Sequence, residues 1–394
     1  MTKANPPVQA VPTSVRAEPV EALTRRSLLL ATAGALAFPA SHAQTPHRPG
    51  DALQPRPLVF PRDHGTHNDT RTEWWYLTGH AKDEKGREFG FQVTFFRSRV
   101  DGTQSLPSRL AARHLLFAHA AITDVQGGKL LHDQRIARWN GEPPIHAERG
   151  VFASEADTRV VLRDWHIERT PDGRYNTRID GGALSIDLTA QPLQAWLLQG
   201  DEGFSRKGPD ASQASFYVSQ PHLAVQGTLG IGRQRFEVQG TAWLDHEWSE
   251  ALLHPEAVGW DWIGMNLFDG HSVTAFQLRR ADGSKLWAGG SFRAAGSAQS
   301  PTDIDHFRPG EVDFKPQRFW TSPLTRAKYP VEWLIRTPAD FYTVKAVIDP
   351  QELDSRQGTG TVYWEGLSDL FDSNGLRVGR GYLEMTGYAQ RLVL

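Results

Sequence analysis

The sequence predicts an all-β protein built from two consecutive antiparallel β-domains, and three observations carry that expectation. Its 394 residues suffice for two domains at roughly 100–200 residues each. Apolar and polar residues alternate with period two in short runs closed by Gly or Asp turns, which is the pattern of half-buried strands. Helical periodicity is almost absent, and 13 Trp beside 36 Gly and 25 Pro suit aromatic β-rich cores.

Residues 1–43 read as an export leader. Lys3, Arg16, Arg25 and Arg26 precede an apolar run from Leu28 to Phe38, and Ser41-His42-Ala43 forms a small-x-small cleavage site. The run is too short to span a bilayer, which takes about 20 residues. Thr24-Arg25-Arg26-Ser27-Leu28-Leu29 has the form of a twin-arginine signal, the kind that exports folded proteins. The expected location is therefore periplasmic or secreted. Residues 44–57, with Pro46, Pro49, Pro55 and Pro57, are expected to form a mobile leader.

Glu73–Gly79, the turn Asp83-Glu84-Lys85-Gly86 and the alternating Phe89, Phe91, Val93 and Phe95 predict a β-hairpin. In a strand, Trp74 and Tyr76 share one face and Glu73 and Trp75 the other. Further strands are expected at Ala118–Asp124, Arg159–Arg169, Ser185–Ala190, Ser215–Ser219 and Ala224–Leu229. Ser105–Leu116 suggests one short helix and Gly366–Phe371 a single helical turn. The first hairpin is echoed by Gly259-Trp260-Asp261-Trp262-Ile263-Gly264, the turn Asp269-Gly270 and Val273–Arg279. This faint repeat divides the chain into domains at 58–245 and 246–394.

Composition excludes several classes. The absence of Cys removes disulfides, thiolate metal sites and thiol nucleophiles. Taking away residues 1–43, with four basic and two acidic side chains, moves the net charge from -2 to -4. That balance gives no drive toward nucleic acid or anionic membrane. No serine-nucleophile elbow, phosphate loop, dinucleotide fingerprint or zinc-protease motif is present. The His64-x-x-His67 pair before Asp69 is read as loop histidines rather than metal ligands, and His119 as a core residue. No metal and no cofactor are expected.

His67-Asn68-Asp69 leading into Glu73–Gly79, then Gly90–Arg97, Phe117–Asp124, Gly203–Gly208, Ser215–Pro221 and Gly240–Ser249 resemble the AttH-like and carotenoid 1,2-hydratase-like (CrtC) family. Gly259–Asp269, Tyr363-Trp364-Glu365-Gly366 and Gly381–Tyr388 continue the resemblance in order. It implies two consecutive lipocalin-like (calycin-type) antiparallel β-barrels. It also implies a lipophilic small-molecule partner and, for exported members, an association with transporter components. His246 and Trp248 fall on the His-x-Trp pair of the hydratases. At their downstream Tyr-x-Asp this sequence runs Thr274-Ala275-Phe276-Gln277-Leu278 and offers no acid.

Adding water to an isolated alkene requires a dry acid to protonate carbon, aromatic faces to stabilise the cation and a placed water. The best local match is Trp243, Asp245, His246, Glu247 and Trp248 with Trp260, Asp261 and Trp262. In an enzyme, Asp245 or Asp261 is the acid, His246 its orienting partner, and Trp248, Trp260 and Trp262 the cation-stabilising wall. In a binding protein, Trp74, Tyr76 and Trp243 join the ring-lined pocket, while Arg206 and Lys207 on the loop 200–210 grip an anionic head. Both readings remain open from sequence: a binder of an isoprenoid or lipid-like molecule, or a hydro-lyase or cyclase acting on an isoprenoid or polyketide double bond.

Overall fold

The computed structural model describes residues 50–392, apart from 145–149, 252, 298–301 and 357. The expected export leader lies outside these residues. Two large antiparallel sheets make up the fold, and no α-helix occurs among the described residues. Nor does any helix there have the length and apolarity to cross a membrane.

The first sheet contains β1 (Thr72–Asp83), β2 (Glu88–Arg99), β3 (His114–Asp124), β4 (Lys129–Trp139), β5 (Val151–Ala153), β6 (Arg159–Leu162), β7 (Trp165–Arg169), β8 (Tyr175–Asp180), β9 (Leu184–Pro192), β10 (Leu197–Leu198), β11 (Phe204–Arg206), β12 (Ala214–Ile231) and β13 (Gln234–Ser249). Along most of the sheet, neighbours in space are neighbours in sequence, and the first strand closes on the last through Trp75 opposite His246 and Tyr76 opposite Asp245. The sheet's free edges, β4 and β5, are again consecutive in sequence. That is the topology of an up-and-down barrel.

The second sheet repeats it with β14 (Gly259–Leu267), β15 (Ser272–Arg279), β16 (Lys285–Arg293), β17 (Ile304–Phe307), β18 (Asp313–Thr321), β19 (Lys328–Arg336), β20 (Phe341–Ala346), β21 (Glu352–Ser355), β22 (Thr361–Phe371) and β23 (Arg377–Thr386). Here β14 closes on β23, and the edges β17 and β18 are joined by the short segment 308–312. The chain is thus two consecutive lipocalin-like antiparallel β-barrels. The repeated hairpin read from sequence is β1–β2 in the first barrel and β14–β15 in the second, the opening pair of each.

Both interiors are solid. Trp75, Leu77, Phe89, Phe91, Phe95, Trp165 and Leu244 pack the first, and Ile263, Met265, Trp333, Trp364, Leu383 and Met385 the second. Each of these inward residues alternates with one directed outward, as period two demands. The outward faces of β1, β13, β14 and β23 meet each other, so aromatic side chains on the outside of both barrels are covered at a common seam.

Several local expectations are corrected. The segment expected as a helix at 105–116 instead forms turns and then enters β3, because Leu106 and Leu110 are exposed and offer no apolar face to bury. Gly366–Phe371 lies inside β22, a short apolar run whose periodicity does not separate strand from helix. The run 159–169 splits into β6 and β7 at Arg163, whose φ of 66° turns the chain. The proposed division at 245/246 falls within β13, and the sheets part between Ser249 and Gly259. Of the expected mobile leader, residues 50–57 are held to the first barrel: Leu53 is buried against Phe216, Val218 and Trp248, and the Gly50 amide donates to Glu250 Oε1 at 2.9 Å.

Candidate functional site

An aromatic-lined cavity lies between the barrels, with walls from both. It has a volume of about 340 Å³ and opens along the seam. Its walls carry Trp74, Tyr76 and Phe96 from β1 and β2, Tyr217 from β12, Asp245 and Glu247 from β13, Trp260 and Trp262 from β14, Phe276 from β15, Tyr363 from β22 and Glu384 from β23. A single rule of local geometry puts them there. Trp74 stands opposite Glu247, Tyr76 opposite Asp245, Trp262 opposite Glu384, and directly opposed residues share a face.

Carboxyl groups reach the seam from both barrels. Asp245 is 5% exposed and accepts a 2.5 Å hydrogen bond from Ser219 Oγ. Burial pushes its pKa up to about 7, and the charge of Glu247 adds to the shift. Glu384 is raised to about 8 by burial, with Asp245 and Glu247 contributing. Directly across from it stands Glu365, held well above the ordinary carboxylate range by burial and by Glu384. Glu365 Oε2 accepts from the Tyr76 hydroxyl at 3.4 Å, and its Oε1 is buried with no partner. Like charges directly opposed in a dry wall are costly, so the proton stays on.

Glu247 has a different environment. Lys207 Nζ stands 3.0 Å from its Oε1, and Ser215 Oγ donates to the same oxygen. The ammonium lies against the rings of Tyr217 and Phe276, at 4.5 and 4.4 Å from their centroids. Asp245 and Glu247, two residues apart on one strand face, therefore set an acid of raised pKa beside an ion-paired carboxylate. Around them, Trp262 Nε1 donates to the Tyr217 hydroxyl at 3.0 Å, and Trp262 meets Trp243 edge to face at 6.4 Å.

The structure separates the residues that sequence had grouped. Trp74, Tyr76, Lys207, Asp245, Trp260 and Trp262 line the cavity, and Trp243 packs behind Trp262. His246 and Trp248 point to the opposite face of β13. His246 stacks on Trp75 with centroids 4.8 Å apart and bonds Glu73 Oε1 through Nε2 at 2.9 Å. Trp248 stacks on His67 at 3.7 Å. Asp261 points into the second barrel, where it pairs with Arg279 at 2.8 Å and accepts from Gln277 and Tyr388. Arg206 is turned away from the cavity, its guanidinium donating to the carbonyls of Gly208 and Pro209. The reason is parity: residues adjacent on a strand face opposite sides, so a sequence cluster of acids and rings is divided between wall and interior.

His64 and His67 are buried, not solvated. The segment 56–67 folds across the barrel end, where Arg56 grips Asp63 through both nitrogens at 2.7 and 2.8 Å. Asp63 in turn faces His67 Nε2 at 2.9 Å, while His67 Nδ1 faces Glu73 Oε1 at 2.8 Å. His67, Glu73 and His246 have ligand atoms within 4.8 Å of one another and could by position hold a metal ion. Glu73 is already compensated by the buried Arg97 at 2.9 Å and by Thr66 Oγ1 at 2.6 Å, while His246 Nδ1 is buried without a hydrogen-bond partner.

Sequence reading missed Tyr217, Phe276, Glu365 and Glu384. His119, expected as a core residue bonded to a neighbour, is buried and bonds the Tyr363 hydroxyl at 2.8 Å and Ser355 Oγ at 2.8 Å, and it also lines the cavity. One signal was available: Glu365 and Glu384 are acids inside apolar strand runs, where unpaired charge is expensive.

Residues 51–388 match the model of the AttH-like family. An AttH protein from Nitrosomonas europaea superposes with a TM-score of 0.76 at 43% identity, covering 87% of this chain and 99% of that one. Kievitone hydratase from Nectria haematococca gives a TM-score of 0.62 at 12% identity, covering 88% of this chain and 98% of that one. CghA crystallised with Sch210972 gives 0.52 at 14% identity, covering 87% and 97%. The last two likenesses are of fold. No curated protein matches the sequence.

Proposed function

The chain belongs to the AttH-like family, and from that premise we propose that it binds a lipophilic, isoprenoid- or polyketide-like molecule between its barrels and acts there as a hydro-lyase or cyclase. The observation that carries this reading is the pairing of two unlike carboxyl groups in one aromatic wall: buried Asp245 beside Glu247, the latter ion-paired to Lys207. In the hydro-lyase form, Asp245 gives its proton to an alkene carbon, and the π-faces of Trp74, Trp260 and Trp262 stabilise the cation formed. A water oxygen bonds to that cation while Glu247 takes the water's proton. Transfer of that proton to Asp245 resets the pair. A cyclase needs the same acid and wall, with a second double bond replacing water and the cavity pre-folding the chain. That kievitone hydratase has this fold is consistent with such chemistry.

The test is incubation of the mature protein with a panel of isoprenoids and unsaturated polyketides, read by mass spectrometry. A product heavier by one water, or an isomer of unchanged mass, is expected from the wild type. Asp245→Asn should cut turnover by about 100-fold or more while ligand still quenches tryptophan fluorescence. Equal turnover by Asp245→Asn would remove this mechanism.

A second reading is a carrier that hands its ligand to transporter components; the twin-arginine-type leader in the sequence favours it. Binding without product by both wild type and Asp245→Asn would select it. Both readings place the protein in the periplasm or outside the cell. Replacing Arg25 and Arg26 by Lys should then leave the precursor in the cytoplasm on cell fractionation, and unchanged export would count against that route.

A further inference from the structure

A second cleft, of about 840 Å³, opens where the loop 199–206 of the first barrel faces β15, β16 and β17 of the second. Phe276 belongs to the walls of both this cleft and the inter-barrel cavity. The ring is 7% exposed and lies directly on Gly289, where an added Cβ would stand 2.9 Å from two of its atoms. Its face toward the cavity receives Lys207 Nζ. No other aromatic ring is common to the two walls among the described residues.

The cleft differs from the cavity in chemistry. Arg206, His306 and Arg308 line it against one carboxylate, Asp201. Arg206 is fixed in place: its guanidinium stands 5.5 Å from the Trp287 ring centroid, Trp287 Nε1 donates to its carbonyl at 3.0 Å, and its Nε is buried without a partner. With two guanidinium groups, Arg206 and Arg308, against one carboxylate, the cleft is suited to an anionic oxygen.

We propose that the cleft is a second compartment of the ligand site, reached past Phe276, and that the protein takes an elongated amphiphile, an apolar chain in the cavity with a carboxylate at Arg206. The proposal rests on the binding reading given above and specifies its ligand class. A neutral compact terpene would use the cavity alone; a long acid would use both spaces. The neighbouring residues Arg206 and Lys207 then have separate work. Lys207 holds Glu247 in the cavity, and Arg206 meets the ligand's charged end in the cleft.

The experiment uses straight-chain acids from octanoic to hexadecanoic and the matching alcohols, read by tryptophan fluorescence on the full mature chain. In the wild type, affinity is expected to climb along the whole acid series. Phe276→Trp, with a larger ring at the passage, should end the climb at a shorter acid, and Phe276→Ala should let it continue. Arg206→Gln should weaken the long acids about tenfold more than the matching alcohols, the loss of one charge-assisted contact. Circular dichroism of each variant checks that it folds. A climb identical in wild type and Phe276→Trp, or equal losses for acids and alcohols in Arg206→Gln, would overturn the proposal. Short members that bind without any climb overturn it alone, whereas failure of every acid and alcohol to bind overturns the cavity reading as well.

Discussion

At the scale of the residue, the seam is governed by how expensive it is to ionise a carboxyl group out of water. Asp245 and Glu384, raised to about 7 and about 8 mainly by burial, keep their protons in the folded chain at pH values where an unfolded chain has lost them. These two groups therefore bind more protons in the folded state between about pH 4 and about pH 8, and their contribution to stability falls as pH rises through that window. The contribution is whole below the unfolded values and gone above the folded ones. Asp63 acts in the opposite sense: Arg56 and His67 hold it below the ordinary range despite its burial, so its stabilisation is lost only as the solution becomes strongly acid. Buried histidines pull the other way, since burial lowers the pKa of His64, His80, His114 and His119, so Asp245 is read from a difference: the urea midpoint of the wild type minus that of Asp245→Asn should be larger at about pH 5 than at about pH 9. A difference that is the same at both pH values would mean that Asp245 is ionised in the folded protein at about pH 5.

At the scale of the element, parity decides which side chains can reach a ligand. β13 presents Trp243, Asp245 and Glu247 to the seam and Leu244, His246 and Trp248 to the first barrel. β14 presents Trp260 and Trp262 to the seam and Asp261 and Ile263 to the second. The register is reinforced by close approaches only Gly permits. A Cβ at Gly264 would stand 2.4 Å from Trp262 and 3.1 Å from Trp243, so this glycine seats the edge-to-face pair behind the cavity. Gly264→Val should cost about 1–3 kcal/mol in urea unfolding, disturb the near-ultraviolet tryptophan signal and weaken ligand binding by displacing Trp262. Retention of the wild-type signal and affinity would show that the pair does not shape the wall. β12 uses a different device. Its pairing slips between Gln220 and Leu223, where Pro221 has no N–H to give and His222 adopts φ 52°, freeing the His222 amide to donate to Asn266 Oδ1 across the seam at 3.0 Å.

At the scale of the whole molecule, each barrel fills its own interior and leaves an aromatic, carboxyl-bearing flank that only the other barrel covers. Contacts cross that seam at several points: Asn266 Nδ2 donates to the Ala242 carbonyl at 3.1 Å, Gln199 Nε2 to Thr274 Oγ1 at 3.2 Å, and Arg380 pairs with Glu88 at 3.2 Å. A single cooperative unfolding transition, coincident by fluorescence and circular dichroism, is expected. A first barrel produced alone should expose Trp74, Tyr76 and Trp243 and bind a hydrophobic dye. Two separable transitions, or a first barrel that stays soluble without binding dye, would show the seam to be weaker than its burial suggests.

The amino-acid sequence by itself determined the β-class, the tandem organisation and the Trp-rich stretch from 243 to 262, because strand alternation and turn residues are local properties written within a few positions. It also separated Trp74 and Tyr76 from Glu73 and Trp75, since period two needs no knowledge of partners. Only the tertiary structure decided which of the two faces met the seam. It sent His246, Trp248 and Asp261 into barrel interiors and brought Glu365, Glu384, Tyr363 and His119 to positions near Asp245 from far along the chain. Those meetings depend on strand register and on two barrels being packed flank to flank. Both are set by the summed burial of many residues, and no short stretch of sequence contains them.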